Sequence, residues 1–134
     1  MVETNQIGSV LSPKLEKAIP QVTRFKRCGV NPWNDTVFVD ALNSTNRSRI
    51  LIAGLSAETS LSFMALCALE WGFDVYVVRD VCLGYSEKSI AVTFDRLLQA
   101  GAVSVTWRQV IMEWKQDHVD GRLLRRIFKP DKLP

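Results

Sequence analysis

The stretch Ile50-Leu51-Ile52-Ala53-Gly54-Leu55-Ser56-Ala57-Glu58-Thr59-Ser60 decides the fold. Four apolar residues in a row predict a parallel strand over 49–53, covered on both faces. Gly54 permits a sharp exit. Beyond it a helix opens on hydroxyl-bearing residues, and its first N–H groups are unpaired and carry a partial positive charge. Many α/β enzymes place a nucleophile or an anion at such a point. Ser60 stands there with two readings open: a nucleophile, or a hydroxyl that caps the helix start.

Downstream, residues 61–71 are apolar nearly all round, with only Ser62 and Glu70 polar. A helix of that kind is buried on more than one side, in a subunit interface or at the centre of the fold. Gly72 ends it and 74–78 reads as a second buried strand. Ser86 caps a helix over 87–99 with Ile90, Phe94, Leu97 and Leu98 on one stripe, and Ala100-Gly101 stops it. A strand at 103–106 and a helix carrying Trp107, Val110, Ile111 and Trp114 follow. Upstream, Ser12-Pro13 starts a helix over 13–19, a strand spans 22–26, and Asn34 caps a helix over 35–44 with Phe38, Ala41 and Leu42 inward. Strands alternating with helices at this spacing predict an α/β fold with a parallel sheet.

The chain has 134 residues, 47% of them apolar and 23% charged, as expected for one globular domain. Its net charge of +3 argues for neither a nucleic acid nor a membrane partner. Cys28, Cys67 and Cys82 are odd in number and lack C-x-x-C spacing, which fits reduced thiols rather than a disulfide framework or a zinc site. The polar start lacks a signal-peptide pattern, and no apolar run approaches the ~18–20 residues of a membrane span. The expected location is cytoplasmic. Residues 118–134 form a basic tail in which Arg122, Arg125, Arg126, Lys129 and Lys132 interleave with apolar residues. It reads as a solvated or partner-docked helix, more weakly as a phosphate- or nucleic-acid-binding strip.

Several separated motifs agree in order: Lys26 at a strand end, Asn31-x-Trp33 before a helix, the elbow from Ala53 to Ser60, the run from Ala65 to Val78, and Gln99-Ala100-Gly101-Ala102-Val103-x-Val105-Thr106-Trp107. Together, over residues 5–115, they resemble the isochorismatase-like cysteine hydrolase superfamily, in its substrate-orphan oligomeric branch. The resemblance implies a three-layer α/β/α Rossmann-like domain over 1–117, lacking the family's first two strands, with the first strand's edge left unpaired. It implies hydrolysis of a small amide or vinyl-ether substrate through an Asp, a Lys and a Cys, without cofactor or metal. The metal-binding members' carboxylate and two histidines have no match here, and His118 is the single histidine, outside the matched region.

On matching positions Ser60 stands for the nucleophile and Lys26 for the lysine; the N–H groups of Thr59 and Ser60 would form the oxyanion hole. Trp33, Glu58 and Ser56 would belong to the pocket. The resemblance also implies a cis peptide within the turn at 54–57. Two departures set this chain apart: serine replaces the cysteine, and the family's catalytic Asp has no counterpart. A thiol with pKa ~8.5 needs modest help to become a thiolate, whereas a serine hydroxyl needs a true general base. The expectation is an impaired or inactive hydrolase. The alternative is a non-catalytic remnant that assembles with itself or with full-length paralogues through the apolar helix. Read without the resemblance, Lys26 is a solvated strand-end charge, Trp33 a core or interface residue, and Asp80 the cap of a following turn. Cys67 and Cys82 read as small buried hydrophobes, and Cys28 as a conceivable surrogate nucleophile.

Overall fold

The computed structural model describes residues 2–4, 12–26, 29–116 and 120–127. Strand β3 (Arg49–Ile52) pairs in parallel with β4 (Asp74–Val78), and β4 with β5 (Val103–Val105). The period-2 alternation of side chains sends Ile52, Val75 and Val77 to one face of this sheet. There they meet Leu61, Ala65 and Ala68 from the start and body of helix α3 (Ser62–Glu70), and Phe94 and Leu97 of helix α4 (Glu87–Gln99). On the other face Val78 and Val105 meet Val110 of helix α5 (Trp107–Lys115). Helices on both faces of a parallel sheet give the expected three layers.

Helix α4 starts at Ser86, whose side chain accepts from the Ser89 N–H, and ends at Ala100-Gly101 as predicted. Gly101, at φ 106, takes the left-handed conformation that stops it. Helix α1 (Pro13–Ala18) starts at the expected Ser12 cap. Helix α2 (Thr36–Asn43) starts one residue later than predicted: its cap is Asp35, which accepts from the Phe38 N–H, while Asn31 caps a separate short turn over Pro32–Asn34.

Two expectations fail at the strands. The polar start contains a strand, β1 (Val2–Thr4), that pairs in parallel with β2 (Arg24–Lys26) as a separate sheet. The edge of β2 expected to be unpaired therefore has a partner; two β-branched residues flanking Glu3 supply the strand preference. Conversely, β3 is not covered on both faces: Arg49 and Leu51 are exposed, and only Ile52 is buried. Among the described residues nothing pairs with its second edge. Trp33 and Met64 pack against both the main core and the Phe25–Phe38–Val39 cluster, and so join the region of β2 to the three-stranded sheet. The C-terminal basic segment forms helix α6 (Gly121–Ile127), whereas His118 and residues 128–134 lie outside the described residues. No described helix is long and apolar enough to cross a membrane.

The apolar character of α3 does not set which of its residues are buried. Ser62 is buried, while Phe63 and Trp71 are exposed. By contrast Phe94 is 1% exposed and also lies under the Arg79 guanidinium. We expect Phe94→Ala to destabilise the fold by about 3–5 kcal/mol and Phe63→Ala by less than about 1 kcal/mol, as read by urea unfolding of each variant.

Candidate active site

The elbow is built by backbone rather than by side-chain capping. The chain leaves β3 through Gly54 at φ 140 and Ser56 at φ 59, ψ 56. A left-handed conformation at a residue with a Cβ costs on the order of 1–2 kcal/mol. All described peptide bonds are trans, so these two residues reverse the chain and the cis bond that the resemblance implied is not there. A π-helical turn follows over Ala57–Leu61 and runs directly into α3. Such turns are wide, and its opening bond, from the Leu61 N–H to the Ser56 carbonyl, is long at 3.4 Å.

Ser60 is half-buried inside that turn. Neither Ser56, which precedes the π turn, nor Leu61, which precedes α3, makes a side-chain cap, and Ser60 caps neither segment. The capping reading of Ser60 fails because the π turn shifts the helix start away from it. Its hydroxyl makes no hydrogen bond among the described residues. The Thr59 N–H donates to the Ser56 carbonyl at 3.1 Å. Of the two amides assigned to an oxyanion hole, that of Thr59 is thus engaged within the turn.

Glu58 reaches out of the turn to the loop after β4. Its Oε1 accepts from the Tyr85 N–H at 2.7 Å and from the Ser89 hydroxyl. Two main-chain bonds run beside it: Leu83 N–H to the Gly54 carbonyl and Ala57 N–H to the Leu83 carbonyl, both 3.0 Å. Gly84 lies against the carboxylate, and a Cβ there would fall 2.7 Å from Glu58 Cδ. Glu58 thus has a set of partners that the sequence reading missed. The readable signal was a glycine two residues ahead of the Ser86 cap, in Leu83-Gly84-Tyr85-Ser86.

The remaining candidates separate. Lys26 is exposed at the end of β2, opposite Thr4. Trp33 is anchored by its N–H to Asn31 Oδ1 at 3.0 Å, and Asn31 Nδ2 reaches Cys67 Sγ at 3.7 Å. Its ring sits edge-on to Phe38, Trp71 and Phe73, with centroids 5.9–6.4 Å away. The indole Nε1 is buried with no partner among the described residues. Trp33 is therefore an aromatic seam between core clusters. Asp80 caps at a distance, its Oδ1 accepting from the Trp107 N–H at 2.9 Å. Cys82 is buried and donates to the Val78 carbonyl, and burial pushes its thiol up, away from nucleophilic use. Cys28 lies outside the described residues. Among the described residues no three His, Cys, Asp or Glu side chains are grouped to hold a metal ion.

The Ser89 hydroxyl first, then Glu58's own backbone and the amides of Tyr85 and Ser86, hold the Glu58 carboxyl below the usual carboxylate range. A carboxylate whose pKa is depressed on folding stabilises the native state above its unfolded value and loses that contribution as pH falls through the folded one. Lowering the pH from about 6 to about 3 should therefore narrow the gap in Tm between the wild type and Glu58→Gln, which keeps an acceptor but does not titrate. A gap that stays constant across that range would remove the charged clasp.

The isochorismatase domain model matches residues 2–109. The chain is 38% identical over 116 residues to the probable hydrolase YcaC of Escherichia coli K12, covering 86% of this chain and 55% of that protein. The crystal structure of the E. coli YcaC gene product, an octameric hydrolase of unknown specificity, superposes with a TM-score of 0.80 at 35% identity, over 89% of this chain and 59% of that one. YcaC from Pseudomonas aeruginosa, with hexane-2,5-diol and covalent acrylamide, gives 0.76 at 32% identity, over 81% and 56%. The chain thus spans little more than half the length of these relatives. A family match over four-fifths of the sequence, with a superposition at a TM-score of 0.80, places the chain in the isochorismatase family.

Proposed function

We propose that this chain carries the elbow of an isochorismatase-family hydrolase with Ser60 at the nucleophile position, and that its turnover of a small amide or vinyl ether is weak or absent. The supporting observation is the Ser60 hydroxyl, which has no hydrogen-bond partner among the described residues. A serine attacks a carbonyl only when a positioned base takes its proton. Lys26 is exposed to water rather than enclosed in the desolvated pocket that a Ser–Lys pair requires. The Ser60 N–H, near the start of the helix, remains suited to a developing oxyanion. The P. aeruginosa relative holds acrylamide covalently, and that small unsaturated amide is a suitable probe here.

Purified Ser60→Cys should hydrolyse small amides at least tenfold faster than the wild type, or take up acrylamide at position 60. Lys26→Ala should abolish whatever turnover the wild type has. Equal and negligible rates in all three proteins would sink the catalytic reading and leave assembly as the role.

That second reading is favoured by α3, where Phe63 and Trp71 are 44% and 55% exposed. Met64 and Leu66, on the same helix, pack against the core and would report on folding instead. With an octamer among the relatives, a self-assembly or an assembly with paralogues through this helix is the proposal. Phe63→Asp should then lower the mass seen by light scattering without lowering Tm by more than a few degrees. A mass unchanged by this substitution would dismiss α3 as the interface.

A further inference from the structure

The π turn that carries Ser60 is buried at its two ends, Ala57 and Leu61, but not between them. It is preceded by a left-handed Ser56, begins without a side-chain cap, and opens on a bond of 3.4 Å. The segment beside it is tied to the elbow by the two main-chain bonds of Leu83, yet Leu83 and Tyr85 are 63% and 97% exposed. An exposed tyrosine ring cannot hold that loop further; its backbone N–H does so, by donating to Glu58. Glu58 also receives the Ser89 hydroxyl, which itself closes the capping box with Ser86 at the start of α4. The carboxylate thereby sits at the positive end of the α4 dipole. Gly84 leaves room for it, where any other residue would collide.

We infer that Glu58 is a positioning residue: by bridging the π turn at Ala57–Leu61 to Tyr85 and to the start of α4, it fixes the amide and hydroxyl of Ser60 in place. The inference deepens the hydrolase reading and rests on it for its catalytic meaning, but the bridge has a signature of its own. A side chain that merely stabilised the fold would affect the whole sheet evenly. A local bridge affects the turn and the loop alone.

The test is hydrogen exchange on Glu58→Ala and Glu58→Gln, followed amide by amide. Glu58→Ala should speed exchange at 57–61 and 83–86 by tenfold or more and leave the amides of Val75 and Val77 in β4 unchanged. Glu58→Gln, which still offers an acceptor, should recover most of that protection. Acrylamide uptake at position 60 in the Ser60→Cys background supplies the second readout. It should fall about tenfold when Glu58→Ala is added and return with Glu58→Gln. Unchanged exchange at 57–61, or an equal loss of protection in β4, overturns the positioning role. Local loosening in proteins that take up no acrylamide in any background upholds the bridge and overturns the hydrolase reading instead.

Discussion

Leu83 is bonded through its N–H to the Gly54 carbonyl and through its carbonyl to the Ala57 N–H, and the candidate site depends on this two-bond splice. It joins the exits of two adjacent parallel strands, β3 and β4. Open α/β sheets bind their ligands outside the carboxyl ends of the strands, where successive loops converge. Here the convergence is enforced by main-chain bonds, so it does not depend on the identity of Leu55 or Leu83, both of which are exposed. The splice compensates the left-handed Ser56 by satisfying the helix's first donor, which no side-chain cap does. Glu58 then extends it across to α4.

Elements whose signals are local were legible in the sequence. Helix α4 announces itself through Ser86 at one end and Ala100-Gly101 at the other, and both marks act within a single turn of chain. The parallel order of β3, β4 and β5 follows from the helices between them. The covering of β3 was not legible, since four apolar residues state a preference for burial but not which neighbours exist to provide it. The π turn was hidden for a related reason. A run of Ala, Glu, Thr, Ser and Leu fits an ordinary helix start, and the wider turn reflects bonds to Leu83 and Ser56 that no periodicity encodes. Within the site, Glu58 stood out by resemblance, yet its partners Tyr85 and Ser89 lie 27 and 31 residues away.

Helix α3 shows how position overrides hydropathy. Ser62 is buried, whereas Phe63, about 100° further round the helix, is 44% exposed. Small residues at Ala65 and Ala68 let the helix lie close to the sheet, and that proximity leaves the larger residues to fill the flanks. Trp33 fills one such flank and locks the Pro32–Asn34 turn against it. The helix is therefore apolar all round for two distinct reasons: core contact along one side, and an uncovered aromatic surface along another. Only the second bears on the proposed assembly, since aromatic residues are enriched where proteins meet.

Under the proposed hydrolase reading, a hydroxyl in place of a thiol bears differently on the two parts of the elbow. A thiol near pKa ~8.5 supplies a few per cent thiolate at neutral pH without any base, so a cysteine elbow tolerates an imperfect acid–base apparatus. A serine does not; its attack needs a base at hydrogen-bonding distance, and no such partner meets Ser60 among the described residues. The electrostatic part of the site follows another rule, because a backbone N–H at a helix start stabilises an oxyanion whatever side chain precedes the attack. Backbone strain at Ser56, the splice at Leu83 and the Glu58 bridge would all serve that electrostatic part. Under the proposed hydrolase reading, serine at position 60 lacks the group that would start the reaction, while the elbow that would stabilise it is kept. On that reading, placing a thiol at position 60 is a smaller physical change than building a site, because the costly backbone geometry is already in place.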